Sequence, residues 1–133
     1  MTTLGAPPNR IFGTDADFEE EPVATSVRFD DAWMYVLLQD GRELKVPLIL
    51  FPRLYFATPE QRQQYQLGAF GEDIRWEELD EDILVANLLL PPDQVKYSND
   101  EFLQRVLENP ETKQLYEQYR DAPISWQVDN LQP

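Results

Sequence analysis

Trp33-Met34-Tyr35-Val36-Leu37-Leu38-Gln39-Asp40-Gly41-Arg42-Glu43-Leu44-Lys45-Val46-Pro47 is the stretch on which the fold turns. From Ala32 to Leu38 it is apolar or aromatic on both parities, with Trp33, Tyr35 and Leu37 against Met34, Val36 and Leu38. A strand covered on both faces reads this way. Asp40-Gly41 then marks a hairpin, because glycine accepts the positive φ that a tight, right-twisted connection demands. The return from Arg42 to Val46 alternates, which predicts Leu44 and Val46 inward and Glu43 and Lys45 facing solvent. Pro47 removes a ladder donor and ends the strand.

Upstream, Thr25 to Phe29 alternates as a further strand, with Asp31 as a turn residue. Residues 1–24 predict an arm: Ala6-Pro7-Pro8 and Glu19-Glu20-Glu21-Pro22 interrupt any period, Asp15 and Asp17 add charge, and Phe12 and Phe18 could dock on the domain. Downstream, Leu48 to Phe56 is the most apolar run, and Pro52 limits it to a short helical turn beneath the sheet. Thr58-Pro59-Glu60-Gln61 reads as a helix start: a capping hydroxyl, a proline at the first helical position, and a glutamine that completes a capping box. That helix is predicted to reach about Leu67 and stop at Gly68. Phe70 to Trp76 reads as a short strand entered at Gly71.

Leu79-Asp80-Glu81-Asp82 predicts another helix, with acidic groups at its positive dipole end and Ile83, Asn87 and Leu88 as its buried stripe. Pro91-Pro92 would close it. Two more helix starts follow. Ser98-Asn99-Asp100-Glu101 precedes Phe102, Leu103, Val106 and Leu107, and Asn109-Pro110 precedes Leu115, Tyr116 and Tyr119. Ile124, Trp126 and Val128 suggest a last strand or extended arm. The expected fold is α+β: a small antiparallel sheet with an Asp-Gly hairpin packed against short helices, then an acidic helical C-terminal extension. Its expected division is an arm at 1–24, a domain at 25–91 and the extension at 92–133, with no internal repeat.

Composition bounds the chemistry. With 133 residues, 42% hydrophobic content and sixteen aromatic side chains, one modest core is available. The net charge of −14 is spread through all three segments. Such a field disfavours direct contact with nucleic acid or an anionic membrane and favours a basic protein partner. Solubility alone is the plainer reading of the charge. Cysteine is absent, which removes disulfides, thiolate metal sites and cysteine nucleophiles. No apolar run approaches the length of a membrane span, and the first ten residues lack a secretory pattern, so a cytoplasmic address is expected. Histidine is also absent, and with it the side chain best matched to proton transfer at neutral pH. Glycines never cluster into a nucleotide loop and no nucleophile elbow occurs, so no cofactor is expected.

Three constellations remain. Asp30 with Glu43-Leu44-Lys45 has the order of a metal-dependent nuclease, in which two carboxylates hold a divalent ion and a lysine steadies water. An outward Glu/Lys pair on a hairpin is the ordinary alternative, and the one expected here. Glu72-Asp73 with Glu77 to Asp82 is acidic enough for calcium but lacks the glycine of a calcium loop, so helix capping by Asp80 or Asp82 is preferred. Arg53, in an apolar run, needs a carboxylate, and Asp80 or Asp82 would make an internal clamp. A ligand-facing cation is the alternative. Trp33 and Trp76 are expected in the core, with an exposed partner-binding aromatic as the other possibility.

From Val27 to about Leu90 the chain resembles the bacterial domain of unknown function 2442 family. The resemblance rests on Asp40-Gly41-Arg42, Val46-Pro47-Leu48, Pro52-Arg53-Leu54, Ala57 to Arg62, Gly71, Ile74-Arg75-Trp76, Leu79 to Ile83 and Leu88-Leu89, in that order. Glu77 departs from the proline that often follows the tryptophan. The resemblance implies a small sheet packed on helices and, from paired-gene arrangements, an antitoxin-like role, but no established activity. Asp40, Gly41, Pro47, Pro52 and Gly71 are its structural positions, while Arg53, Trp76, Asp80 and Asp82 are the candidate binding residues. The expected function is a non-enzymatic interaction module. A divalent-metal enzyme using Asp30, Glu43 and Lys45, and an acidic nucleic-acid mimic, are the alternatives.

Overall fold

In the computed structural model, residues 22–90, 94, 100–121 and 125–127 are described. They form an α+β fold built on two antiparallel sheets. Strands β1 (Ala24–Phe29), β2 (Trp33–Leu38) and β3 (Glu43–Pro47) form a meander. A late strand, here β7 (Ser125–Gln127), adds to the free edge of β3, giving the order β1-β2-β3-β7. The second sheet orders β4 (Gln66–Leu67), β5 (Asp73–Trp76) and β6 (Glu81–Leu84).

At the β2–β3 turn, Gly41 has φ 96°. The Leu38 amide donates to the Arg42 carbonyl (2.7 Å) and the Gly41 amide to the Leu38 carbonyl (3.0 Å). Asp40 accepts from both the backbone and the guanidinium of Arg42, at 3.0 and 2.8 Å. The β2 parity resolves plainly. Met34, Val36 and Leu38 are buried, while Trp33, Tyr35 and Leu37 are half-buried on the other face. In β1 a bulge between Ala24 and Ser26 interrupts the expected alternation, so Ala24 and Val27 are both buried despite their odd spacing.

Against the inner face lie the apolar 3₁₀ turn Leu48–Leu50 and helix α1 (Pro52–Tyr55), the short helical turn that Pro52 imposes. Leu48, Ile49, Leu50, Phe51 and Leu54 are all buried there. Helices α3 (Glu101–Glu108) and α4 (Pro110–Arg120) complete the cover, contributing Leu103, Val106 and Tyr116 to the same core. Asp100 itself is the N-cap of α3, accepting from the amides of Phe102 and Leu103. Asn109 caps α4 ahead of Pro110.

Several expectations need correction. Helix α2 (Pro59–Arg62) has the expected Thr58/Gln61 capping box but only one turn. Gln63 to Leu67 lack an apolar stripe to hold a helix. Tyr65 instead turns toward β1, its hydroxyl accepting from the Val27 amide at 3.2 Å, and Gln66–Leu67 pair with β5. The strand entered at Gly71 begins only at Asp73, and Phe70 stands 75% exposed in the preceding turn. The largest correction concerns residues 79–90. These form no helix: Glu81–Leu84 is a strand, followed by a 3₁₀ segment at Val85–Leu89. The burial of Glu81, Ile83 and Val85 against exposed Asp82 and Leu84 has a period of two, and pairing with β5 selects it over the helical period. The arm through residue 21, Pro91-Pro92, Ser98, Asn99, Ile124 and Val128 lie outside the described residues.

Candidate functional site

The β5–β6 hairpin gathers most of the candidate residues. Between Glu72 and Asp82 the chain carries seven carboxylates and one cation, Arg75. The loop Glu77–Asp80 closes with the Asp80 amide donating to the Glu77 carbonyl, and Asp80 sits in the left-handed region at φ 54°, which aspartate tolerates better than most residues. One face of the hairpin, Ile74, Trp76, Glu81 and Ile83, is buried; Arg75, Asp82 and Leu84 face outward.

Trp76 is a core residue at 1% exposure. Its indole N–H donates to the Arg62 carbonyl at 2.9 Å, and its ring meets Phe29 edge-on with centroids 6.4 Å apart. Arg62 is itself buried and donates to the carbonyls of Leu54 and Tyr55 at the end of α1. Burial lowers its pKa from the ordinary guanidinium value.

Arg53 does make an internal clamp, although its principal carboxylate is not one of those expected. Nε donates to Asp100 Oδ2 at 2.9 Å, and Nη2 forms an ion pair with the same oxygen, also at 2.9 Å. Nη1 donates to the carbonyls of Leu79 and Asp80 and lies 3.4 Å from Asp80 Oδ2. Asp100 thus caps α3 through Oδ1 and grips α1 through Oδ2. Burial works against the Arg53 charge, but Asp100 outweighs it and holds the guanidinium pKa above its ordinary value. Asp82 plays no part in the clamp, because it lies on the opposite side of β6 and meets Arg75 at 3.7 Å. Partial burial and its neighbour Asp73 push the Asp82 carboxyl upward, against Arg75. Neither Asp80 nor Asp82 caps a helix, since none begins there.

Glu81 is the residue that sequence reasoning missed. It stands opposite Trp76 on the buried face at 8% exposure. Among the described residues no hydrogen bond or ion pair reaches its carboxylate. Burial pushes its pKa up to about 7, with Arg53 opposing and Asp100, Asp80 and Asp82 adding to the rise. Glu81 also lines an open cleft of about 430 Å³, together with Phe51, Asp82, Ile83, Ala86, Asn87 and Leu90. Leu84, 59% exposed, stands at its rim.

The second constellation does not converge. Asp30 Oδ1 accepts from the amides of Ala32 and Trp33 and Oδ2 from the Tyr35 hydroxyl at 2.9 Å. Burial pushes its pKa up, but these donors and Lys45 outweigh that and hold the carboxyl below its ordinary value. Glu43, expected in solvent, is 9% exposed and gripped by Arg28 at 3.2 and 3.0 Å. Lys45 Nζ lies 4.3 Å over the Trp33 ring, and Trp33 also meets Tyr119 edge-on. Arg28 reaches across β2 from β1 to Glu43, and Trp33 on β2 lies beneath Lys45, which draws both β3 side chains down onto the sheet. Among the described residues no group of three carboxylates gathers as a metal site would.

Comparisons with known proteins agree with this architecture. A crystal structure of a protein of unknown function from Rhodospirillum rubrum is similar over 63% of this chain and 99% of its own, with a TM-score of 0.50 and 24% identity, which speaks to fold alone. No curated protein matches. The model of the family described as "Protein of unknown function (DUF2442)" matches residues 24–91. Those residues hold both hairpins, the Arg53 segment and Glu81, and the chain belongs to the DUF2442 family.

Proposed function

We propose that the protein is a non-enzymatic interaction module, antitoxin-like or regulatory, that binds a basic protein partner through the β5–β6 hairpin. The observation that carries this reading is the hairpin's outward charge. Glu77, Glu78, Asp80 and Asp82 are exposed at and beside the hairpin's tip, Asp80 with 98% of its side chain in solvent, and Asp82 also lines an open, largely apolar cleft. Exposed carboxylates beside an apolar depression suit a protein-binding surface, with charge that steers encounter and an apolar patch that excludes water. Arg53 and Asp100 hold this loop against α1 and α3, so the surface is presented on a fixed base. No described helix is long and apolar enough to cross a membrane. A cytoplasmic setting belongs to the same reading, as do the absent histidine and cysteine.

Affinity capture with the tagged protein from its native host at low salt tests this. A stoichiometric basic protein that dissociates as salt is raised is the expected outcome. A protein that stays solitary under those conditions refutes the reading. The divalent-metal alternative at Asp30, Glu43 and Lys45 draws little support from carboxylates already engaged by amides, a hydroxyl and Arg28. Calorimetry with millimolar Mg²⁺ or Mn²⁺ tests it directly, and heat abolished by Glu43→Gln would revive it. The nucleic-acid mimic needs carboxylates spaced along one face like phosphates, whereas the exposed acids of the hairpin cluster at its tip.

A further inference from the structure

We propose that the cleft beside Glu81 is a receptor for the ammonium end of a lysine side chain supplied by the basic partner. This rests on the binding-module reading and names the chemistry its centre recognises. The cleft combines a buried carboxylate with no partner among the described residues and walls from Phe51, Ile83, Ala86 and Leu90. A carboxylate this buried loses hydration without gaining a hydrogen bond, and a cation entering the cleft would restore what it lacks.

Shape and donor count favour lysine over arginine. Four methylenes suit an apolar wall, and a compact ammonium has three donors to divide between the Glu81 carboxylate and water. A guanidinium brings five donors in a fixed plane, and one carboxylate leaves several of them unmet. Asp82, exposed and lining the cleft, adds attraction at longer range, as does nearby Asp80, while Arg53 is held by Asp100. The cleft's volume also fits, lying within the range of small-ligand sites.

The test uses N-acetyl-lysine-N-methylamide as probe and N-acetyl-norleucine-N-methylamide as its uncharged match, with amide shifts read by NMR on the full chain at pH 8. The lysine probe should move the amides of Ile83, Leu84 and Asn87 saturably, and the norleucine probe should not. Glu81→Gln should weaken the lysine effect by at least about tenfold. In the unaltered protein the lysine effect should also fade at pH 5, where Glu81 takes a proton in surroundings set by Arg53, Asp80, Asp82 and Asp100. This arm needs no variant to fold. Equal responses to both probes, no response to lysine, or full retention in Glu81→Gln would each overturn the proposal. A basic partner captured by the wild type and equally by Glu81→Gln would overturn the lysine receptor while leaving the wider reading intact. Absence of any partner would strike the wider reading instead.

Discussion

Replacing Glu81 by glutamine should stabilise the protein at neutral pH and remove part of its pH dependence. The folded state moves this carboxyl from its ordinary 4.5 up to about 7 because it is buried away from water. Between those two values the folded protein holds a proton that the unfolded chain has released, so stability falls as pH rises and levels off above about 7. The full span corresponds to at most about 3.5 kcal/mol, since a tenfold change in proton affinity is worth about 1.4 kcal/mol. Glutamine is neutral throughout and close in shape to the protonated acid. The two proteins should therefore have similar stability near pH 4.5, diverge up to about pH 7 and keep that separation to pH 8. For a chain of this size that divergence is about 15 °C in Tm at most. Urea unfolding and thermal melts of both proteins, from pH 4.5 to 8, measure it. Other carboxylates titrate in both proteins, so the difference between the curves isolates Glu81. Curves that keep a constant separation across the window would refute the claim that burial keeps this carboxyl protonated.

The clamp and the turn make further predictions. Asp100→Ala removes both the α3 cap and the grip on Arg53 and should cost about 2 kcal/mol in urea unfolding, while Asp100→Asn, which keeps a capping oxygen, should cost about half as much. Equal losses in the two variants would show that the cap contributes nothing. Gly71→Ala should cost about 2 kcal/mol or more, because Gly71 has φ 79° and an added Cβ would stand 2.6 Å from the Ala24 carbonyl oxygen. A melting temperature within a degree of wild type would contradict that. Asp80→Asn with Asp82→Asn should leave unfolding within about 0.5 kcal/mol of wild type, since both side chains are exposed, yet reduce capture of a basic partner. Unchanged capture would remove the hairpin from the interface.

The first hairpin was legible because its signals agree with one another. Asp40-Gly41 supplies the turn, Pro47 the stop, and Leu44 and Val46 share a parity with buried Val36 and Met34 across the strand pair. The Thr58 capping box was legible for a similar reason, since every atom involved lies within four residues. Where local signals conflicted, the nearer one misled. Leu79 to Asp82 has the acidic start of a helix, but Ile83 and Val85 alternate with Asp82 and Leu84. The outcome depended on whether a partner strand was within reach, and Ile74 opposite Ile83 provides it. Glu43 shows a related limit: its parity was read correctly, but parity does not show that Arg28 covers that face.

The candidate site was harder to read, because its two decisive features arise from long-range placement rather than local pattern. Asp100 lies 47 residues from Arg53, and within its own segment it looks like an ordinary helix cap. Only the docking of α3 beside α1 makes one carboxylate serve both roles. Glu81 sits in a run of three acidic residues, where its neighbours Asp80 and Asp82 are exposed and composition treats all three alike. Strand parity separates them once β6 is recognised as a strand, so the helix reading of this segment and the oversight of Glu81 have one cause. A helical register would have left a glutamate in the first turn solvated and electrostatically favoured. The strand turns the same side chain inward opposite Trp76, where the core removes its water and leaves open space on one side. A buried acid at that position lowers stability at neutral pH, and burial there weighs against reading it as a scaffold element. The proposed role in receiving a cation would account for both its burial and the opening next to it.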